Sequence, residues 1–190
     1  MTLFKNKYRI ESTRLSGWDY SQAGYYYVTI CTRNRALFFG EIIEDDIKLF
    51  PLGEIIAEEW LQTETIRPNV KLDEWIIMPN HMHMILIILY KIISTSVETP
   101  RRGVSTQPHK QTQNASEKWA ANTLGSIIGQ FKGKCTKRIW DKGRTDFAWQ
   151  PRFFDRIIRS EEALQKAQIY IASNPSNWDH DRNNLPGLYM

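Results

Sequence analysis

Residues 70–90 read VKLDEWIIM-PN-HMHMILIILY, two predicted β-strands that meet at a tight turn, Pro79-Asn80. The second strand is apolar on both faces over its second half, which is typical of a central strand covered on both sides. In a strand, side chains two residues apart project to the same face. We therefore expect His81 and His83 to share one face of a sheet, while Met82 points into the opposite layer.

Patterns on either side of this pair predict the remaining elements. Aromatic and β-branched runs indicate strands, and apolar residues at helical spacing indicate helices. The predicted elements are a strand at 24–32, a hairpin of 42–43 with 47–50, a helix at 52–67, a helix at 119–140, a strand at 153–159 and a helix from Ser160 to Asn174-Pro175. This order predicts an α+β protein, a ferredoxin-like βαββαβ fold with a central antiparallel sheet and an appended C-terminal helix.

Length and composition limit the class of protein. The chain has 190 residues, enough for one domain spanning 1–190, and residues 91–118 lack apolar periodicity, so we expect a flexible loop there. The two cysteines, Cys31 and Cys135, cannot form a disulfide framework and lack metal-type spacing. No stretch has the pattern of a signal peptide or a membrane span, which predicts a cytoplasmic protein with no membrane partner.

Charge is divided unevenly along the chain. Residues 1–99 contain 10 Lys and Arg against 13 Asp and Glu, whereas residues 100–190 contain 15 against 8. A basic half is the pattern expected of a protein that binds a polyanion, although a basic, solvated surface is an equally good interpretation of charge alone.

The histidine pair is the first candidate site. Two neutral imidazoles on one rigid face can hold a divalent metal and leave coordination positions open for a substrate. A His-x-His pair is more often an ordinary surface or core feature. The chain contains only four histidines, however, and His81 and His83 both fall on its most apolar segment, which favours the metal site.

The last predicted helix carries the second half of the site. At 100° per residue from Ala163, Ala167 falls at about 40°, Ile171 at 80°, Tyr170 at 340° and Asn174 at 20°. We therefore expect Tyr170 and Asn174, one turn apart, to face the sheet. A core tyrosine beside a helix-terminal asparagine would look the same. If this helix packs beside the histidines, a phenol, two imidazoles and an amide oxygen converge, a set suited to transfer of a phosphodiester to tyrosine.

Several motifs in this order match one family. They are Ser16-Gly17-Trp18-Asp19-Tyr20, Tyr27-Val28-Thr29-Ile30-Cys31-Thr32-Arg33-Asn34-Arg35, Met78-Pro79-Asn80-His81-Met82-His83, Ile127-Ile128-Gly129-Gln130-Phe131-Lys132, Trp149-Gln150-Pro151-Arg152-Phe153-Phe154-Asp155 and Tyr170-Ile171-Ala172-Ser173-Asn174-Pro175. Over nearly its whole length the chain resembles the HUH-type single-tyrosine transposases of the insertion-sequence group, in particular the branch associated with repetitive extragenic palindromic (REP) sequences.

The resemblance implies a specific chemistry. Tyr170 would be the nucleophile, and His81, His83 and Asn174 would bind Mg²⁺ or Mn²⁺. The enzyme would cut and rejoin single-stranded DNA at hairpin-forming palindromes through a covalent 5′-phosphotyrosine, as a monomer or homodimer. No general base is evident. A non-catalytic nucleic-acid-binding module on the same fold and a metal-dependent hydrolase with a structural Tyr170 remain as alternatives.

Basic residues near the motifs are candidates for phosphate contacts, which strengthen binding without reading base sequence. The best placed is Arg152, which is next to aromatic residues at the start of the last strand. The full set of predicted DNA-binding residues is Lys132, Lys134, Arg152, Arg156 and Arg159.

Overall fold

The structure is a computed structural model, and it describes residues 14–92 and 122–184. Its regular elements, in chain order, are β1 (Gly24–Cys31), β2 (Gly40–Ile43), β3 (Asp46–Leu49), α1 (Pro51–Thr65), β4 (Val70–Met78), β5 (His81–Ile88), α2 (Leu124–Asp141), β6 (Phe154–Ile158) and α3 (Glu161–Ala172), followed by a short 3-10 helix at Pro175–His180. The predicted loop at 91–118, beyond residue 92, and the predicted helix start at 119–121 lie outside the described residues.

Four strands form one antiparallel sheet in the order β4-β5-β1-β6. This is the strand order of a ferredoxin-like βαββαβ fold, and α3 follows it as the appended helix, so the predicted fold class is confirmed. β2 and β3 pair separately as the predicted hairpin. Glu44 and Asp45 at its turn have φ of 50° and 66°, the left-handed conformation that two-residue hairpin turns favour.

The central strand β5 sends alternate side chains into two different layers. Met82 and Met84 are fully buried in the larger apolar cluster, beneath α1 and α2. Ile85 lies on the opposite face, where it packs with Leu164 and Ile171 of α3. The sheet is therefore covered by two helices on one face and by α3 on the other.

The helices of the larger layer begin with recognisable signals. α1 starts with Pro51. Proline suits the first position of a helix, because a backbone N–H at that position has no hydrogen-bond partner within the helix. α2 starts after Thr123, whose side chain accepts a hydrogen bond from the Ser126 amide. The two helices meet where Trp60 packs edge-on against Phe131, with ring centroids 5.2 Å apart. Both cysteines are free and buried.

The third helix begins as the sequence predicts. The Ser160 side chain accepts a hydrogen bond from the Ala163 amide, 3.2 Å away, and two glutamates occupy the first turn. α3 ends at Ala172, so Asn174 lies just beyond it. Within the described ranges, no helix combines the length and apolarity needed to cross a membrane.

Candidate metal and nucleophile site

The tight turn before β5 holds one buried asparagine in a fixed orientation. The Asn80 amide nitrogen donates to the Arg35 carbonyl at 3.1 Å and to the Asn183 carbonyl at 2.9 Å. Its Oδ1 therefore faces the other way, 2.8 Å from His81 Nδ1. Because an amide oxygen only accepts, the hydrogen must be on His81 Nδ1, which leaves Nε2 with a free lone pair.

The two histidines face each other as the strand period predicts. Both side chains are fully buried, and the two Nε2 atoms are 3.0 Å apart. On the far side of the second ring, His83 Nδ1 lies 2.7 Å from the Tyr27 hydroxyl and 2.8 Å from Thr29 Oγ1. A metal-binding histidine usually directs its second ring nitrogen at such an oxygen, and both rings meet this condition.

Burial keeps the pair uncharged. It lowers the pKa of His83 to about 3, with nearby Arg182 and Arg35 adding to the effect. It also holds the pKa of His81 well below its ordinary value, helped by His83. Neutral imidazoles are the form that binds metal, so both rings are ready to act as ligands at pH 7.

A carboxylate lies beside the pair, and the buried amide oxygen of Asn174 is a further candidate ligand. Asp181 Oδ2 lies 3.8 Å from His81 Nε2, and the potential ligand atoms of His81, His83 and Asp181 all lie within 4.8 Å of one another. Asn174 is 2% exposed, and its Oδ1 is buried without a hydrogen-bond partner among the described residues. Leaving such an atom unpaired is costly, and two imidazoles, a carboxylate and an amide oxygen fit a divalent cation.

Tyr170 lies at the edge of this group. Its ring is edge-on to His83 with centroids 5.3 Å apart, and to Tyr27 at 6.4 Å. The expected inward orientation is correct for Asn174, which is buried, and wrong for Tyr170, which is 43% exposed. Ile171, about 100° from Tyr170 round the helix, is fully buried, so the packed stripe is rotated towards Ile171. The Tyr170 ring is consequently open to solvent while it packs edge-on against His83.

The predicted basic residues do not form one cluster. Arg156 lies on β6 and lines the cleft beside Tyr170. Arg152 and Arg159 flank the same strand; Arg152 has φ of 67°, and the Arg159 guanidinium lies 5.5 Å from the Trp18 ring. Of these three, Arg156 is next to the predicted nucleophile.

The two lysines lie on α2, on the opposite side of the sheet. Lys132 donates to the carbonyls of Gln150 at 2.8 Å and Arg152 at 2.9 Å, and its own carbonyl accepts from the Trp149 indole at 3.1 Å. These hydrogen bonds hold the segment before β6 against α2. The partners of the Lys132 ammonium are therefore backbone carbonyls, which gives this lysine a structural role. Lys134 is exposed on the same helix.

Sequence reasoning gave no role to four residues of this site: Asn80 and Tyr27, which lie within the quoted motifs, and Asp181 and Arg182, which it did not single out. Asn80 directly precedes the histidine pair, so its polarity next to an apolar strand was an available signal. Asp181 and Arg182 belong to a polar run, residues 179–183, that follows the tyrosine helix without apolar periodicity. Tyr27 had no signal of its own, since an aromatic residue in a strand is ordinary.

Comparison with known proteins places the chain. No family model matches its sequence. It is 32% identical over 174 residues to an uncharacterized protein of Haemophilus influenzae, an alignment covering 90% of this chain and 91% of that one. Among solved structures it is similar to a REP-associated tyrosine transposase bound to a REP hairpin, with a TM-score of 0.56, 17% identity, and coverage of 89% of this chain and 74% of the other. The chain therefore belongs to one family with the Haemophilus protein, and its fold is similar to that of the REP-associated tyrosine transposase, in agreement with the sequence resemblance.

Proposed function

We propose that this protein cuts and rejoins single-stranded DNA at hairpin-forming sequences, with Tyr170 as the nucleophile and a divalent metal, Mg²⁺ or Mn²⁺, as cofactor. The observation that carries the proposal is the contact between the exposed Tyr170 ring and the buried His83 ring, 5.3 Å apart. It puts a solvent-open phenol beside two neutral imidazoles with inward-facing nitrogens. The hairpin in the related solved structure supports the choice of substrate class.

Four side chains would hold the cation: His81 and His83 through Nε2, and Asp181 and Asn174 through oxygen. The unpaired, buried Asn174 Oδ1 supports its assignment as a ligand. A bound divalent cation would offset the charge that builds on the scissile phosphate and on the departing 3′ oxygen. Asn80 and the Tyr27 and Thr29 hydroxyls keep the two rings in the orientation that ligation requires.

The reaction is a transfer between two oxygen atoms. The Tyr170 oxygen forms a bond to phosphorus as the bond from phosphorus to the 3′ oxygen breaks, and the 3′ oxygen takes up a proton to leave as a hydroxyl. The phenolic proton passes to solvent, to which Tyr170 is open. Because a phenolate (ordinary pKa about 10) is itself a fair leaving group, a second 3′ hydroxyl can reverse the step and reseal DNA without ATP.

The test is a denaturing gel of protein incubated with end-labelled single-stranded hairpin DNA and Mn²⁺, with hairpins taken from palindromes beside the protein's own gene. We expect a covalent protein–DNA band in the unaltered protein and none in Tyr170→Phe. Tyr25→Phe is the matched control, because Tyr25 is also a half-exposed tyrosine on the α3 side of the sheet and has no place in the proposed site. It should form the adduct normally.

Two other outcomes would replace the proposal. Cleavage without an adduct that survives Tyr170→Phe would indicate a metal-dependent hydrolase. Binding of the hairpins with neither cleavage nor adduct, over Mn²⁺ and Mg²⁺ alike, would indicate a non-catalytic DNA-binding module.

A further inference from the structure

A cleft of about 510 Å³ opens beside Tyr170, and the metal and nucleophile chemistry leaves it unused. Its walls include Tyr27, Phe154, Arg156, Lys166, Tyr170 and Arg182. Phe154 belongs to the Trp149–Asp155 motif, to which the proposed reaction assigns no role. We propose that this cleft is a stacking subsite for one unpaired nucleobase flanking the scissile phosphate, with Phe154 as its platform. The inference rests on the proposed function and specifies how the substrate is held.

The first support is an exposed aromatic ring on an otherwise ordinary strand. Along β6 the side chains of Phe154, Arg156 and Ile158 point to the α3 side of the sheet. Ile158 packs with the α3 cluster, whereas Phe154, at the opposite end of the strand, is 43% exposed. This ring lies open beside the proposed nucleophile, where it is available to stack against a ligand.

The second support is the row of rings that leads from the nucleophile. Tyr170 lies edge-on to Tyr27 at 6.4 Å, and Tyr27 lies edge-on to Phe154 at 6.5 Å. A single ring thus separates the Phe154 platform from the phenol that would attack phosphorus. A base stacked on Phe154 would belong to a nucleotide next to the reacting phosphate.

The third support is the charge around the platform. The Arg182 guanidinium lies 5.9 Å from the centre of the Phe154 ring, and Arg156 lies two residues along the strand. Both arginines are exposed, so the Arg182 side chain can leave the ring face when a base enters, and either arginine can contact a phosphate. An aromatic platform between cations is the arrangement by which proteins hold unpaired bases, and a base in a duplex has no free face to offer.

The test separates recognition of bases from recognition of phosphates. Binding of a labelled 12-nucleotide oligothymidylate is compared with binding of the same backbone carrying abasic sites, by fluorescence anisotropy in EDTA. Stacking contributes at least about 1 kcal/mol per base, so the unaltered protein should prefer the oligothymidylate by about fivefold or more. Phe154→Leu should abolish most of this preference, and Phe154→Trp should retain it.

Two further variants serve as controls. Leu61→Ala removes an exposed apolar side chain from α1, on the opposite face, and should leave the preference unchanged. Arg182→Gln should weaken binding of both oligonucleotides by a similar factor, since a phosphate contact does not depend on the base. Circular dichroism confirms that each variant is folded.

An unchanged preference in folded Phe154→Leu would overturn the subsite, as would equal binding of both oligonucleotides by the unaltered protein. These outcomes are distinct from failure of the proposed function. If the adduct forms on hairpin DNA while Phe154→Leu keeps its base preference, the subsite is wrong and the chemistry stands. If the preference depends on Phe154 and no adduct forms, the subsite stands as a single-strand contact and the chemistry is wrong.

Discussion

The two faces of the central sheet are built from the same strands for different purposes. Under α1 and α2, the side chains are apolar and closely packed, with Met82 and Met84 at 0% exposure. Under α3, the buried apolar cluster is small, centred on Ile85, Leu164 and Ile171. That face also holds the buried histidine pair and the cleft lined by Tyr27, Phe154 and Tyr170.

What differs is the reason for burial. The methionines are buried because apolar surface leaves water, which stabilises the fold. The histidines are buried at a cost and need oriented partners to offset it. The face under α1 and α2 therefore stabilises the fold. This stabilisation offsets the cost of burying the neutral imidazoles on the face under α3.

Removing one histidine of the pair should have the largest effect on the face under α3. We expect His83→Ala to reduce adduct formation by about 10³-fold or more, because a metal supplies several kcal/mol of transition-state stabilisation and each 1.4 kcal/mol is tenfold in rate. The measurement is the initial rate of adduct formation with Mn²⁺, at a temperature well below the thermal unfolding midpoint of the variant. A folded His83→Ala protein that reacts at the normal rate would show that the pair is only structural.

The matched change is made at the next residue, on the other face. Met84→Ala should lower the free energy of unfolding by about 2–5 kcal/mol, because it leaves a cavity in the core under α1 and α2. Urea unfolding followed by circular dichroism measures the loss. The folded fraction of Met84→Ala should form the adduct at a near-normal rate. A loss of activity without a loss of stability would contradict the division of roles between the two faces of the sheet.

A smaller effect should come from the residue that orients His81. Asn80→Ala removes the acceptor at His81 Nδ1, so we expect Mn²⁺ affinity to fall by about 10–100-fold. Isothermal titration calorimetry with Mn²⁺ measures it without relying on activity. Asn80→Asp keeps an acceptor oxygen there and should recover part of the affinity. Equal affinity in Asn80→Ala and the unaltered protein would show that this hydrogen bond does not position the ring.

The smallest effect compares the helix caps on the two faces. Ser160→Ala removes the N-cap of α3, and Thr123→Ala removes that of α2, each with an expected loss of about 1 kcal/mol. Because α3 buries few side chains, the stability lost in Ser160→Ala should appear as local opening of α3, with faster amide hydrogen exchange in that helix. Exchange that rises equally throughout the protein in Ser160→Ala would mean that α3 does not open separately from the core.

Sequence reasoning recovered the elements more fully than the site. The alternation along β5 correctly placed Met82 on the opposite face from His81 and His83, because successive side chains of a strand must point to opposite faces of the sheet. The rotation of α3 was less certain, since Tyr170 and Ile171 are both apolar enough to face the sheet. Only packing against Ile85 shows which of them is buried.

Two levels of information thus define this protein. By itself, the sequence determined the order of strands and helices, the shared face of the histidines and the capped start of the tyrosine helix, because each depends on neighbours along the chain. Contacts between distant segments show that Asn80 orients His81, that Asp181 lies beside the pair, that the Asn174 oxygen is buried without a partner among the described residues, and that Phe154 is exposed near Tyr170. Those features join residues up to about a hundred positions apart, and such contacts form only when the sheet and α3 pack together.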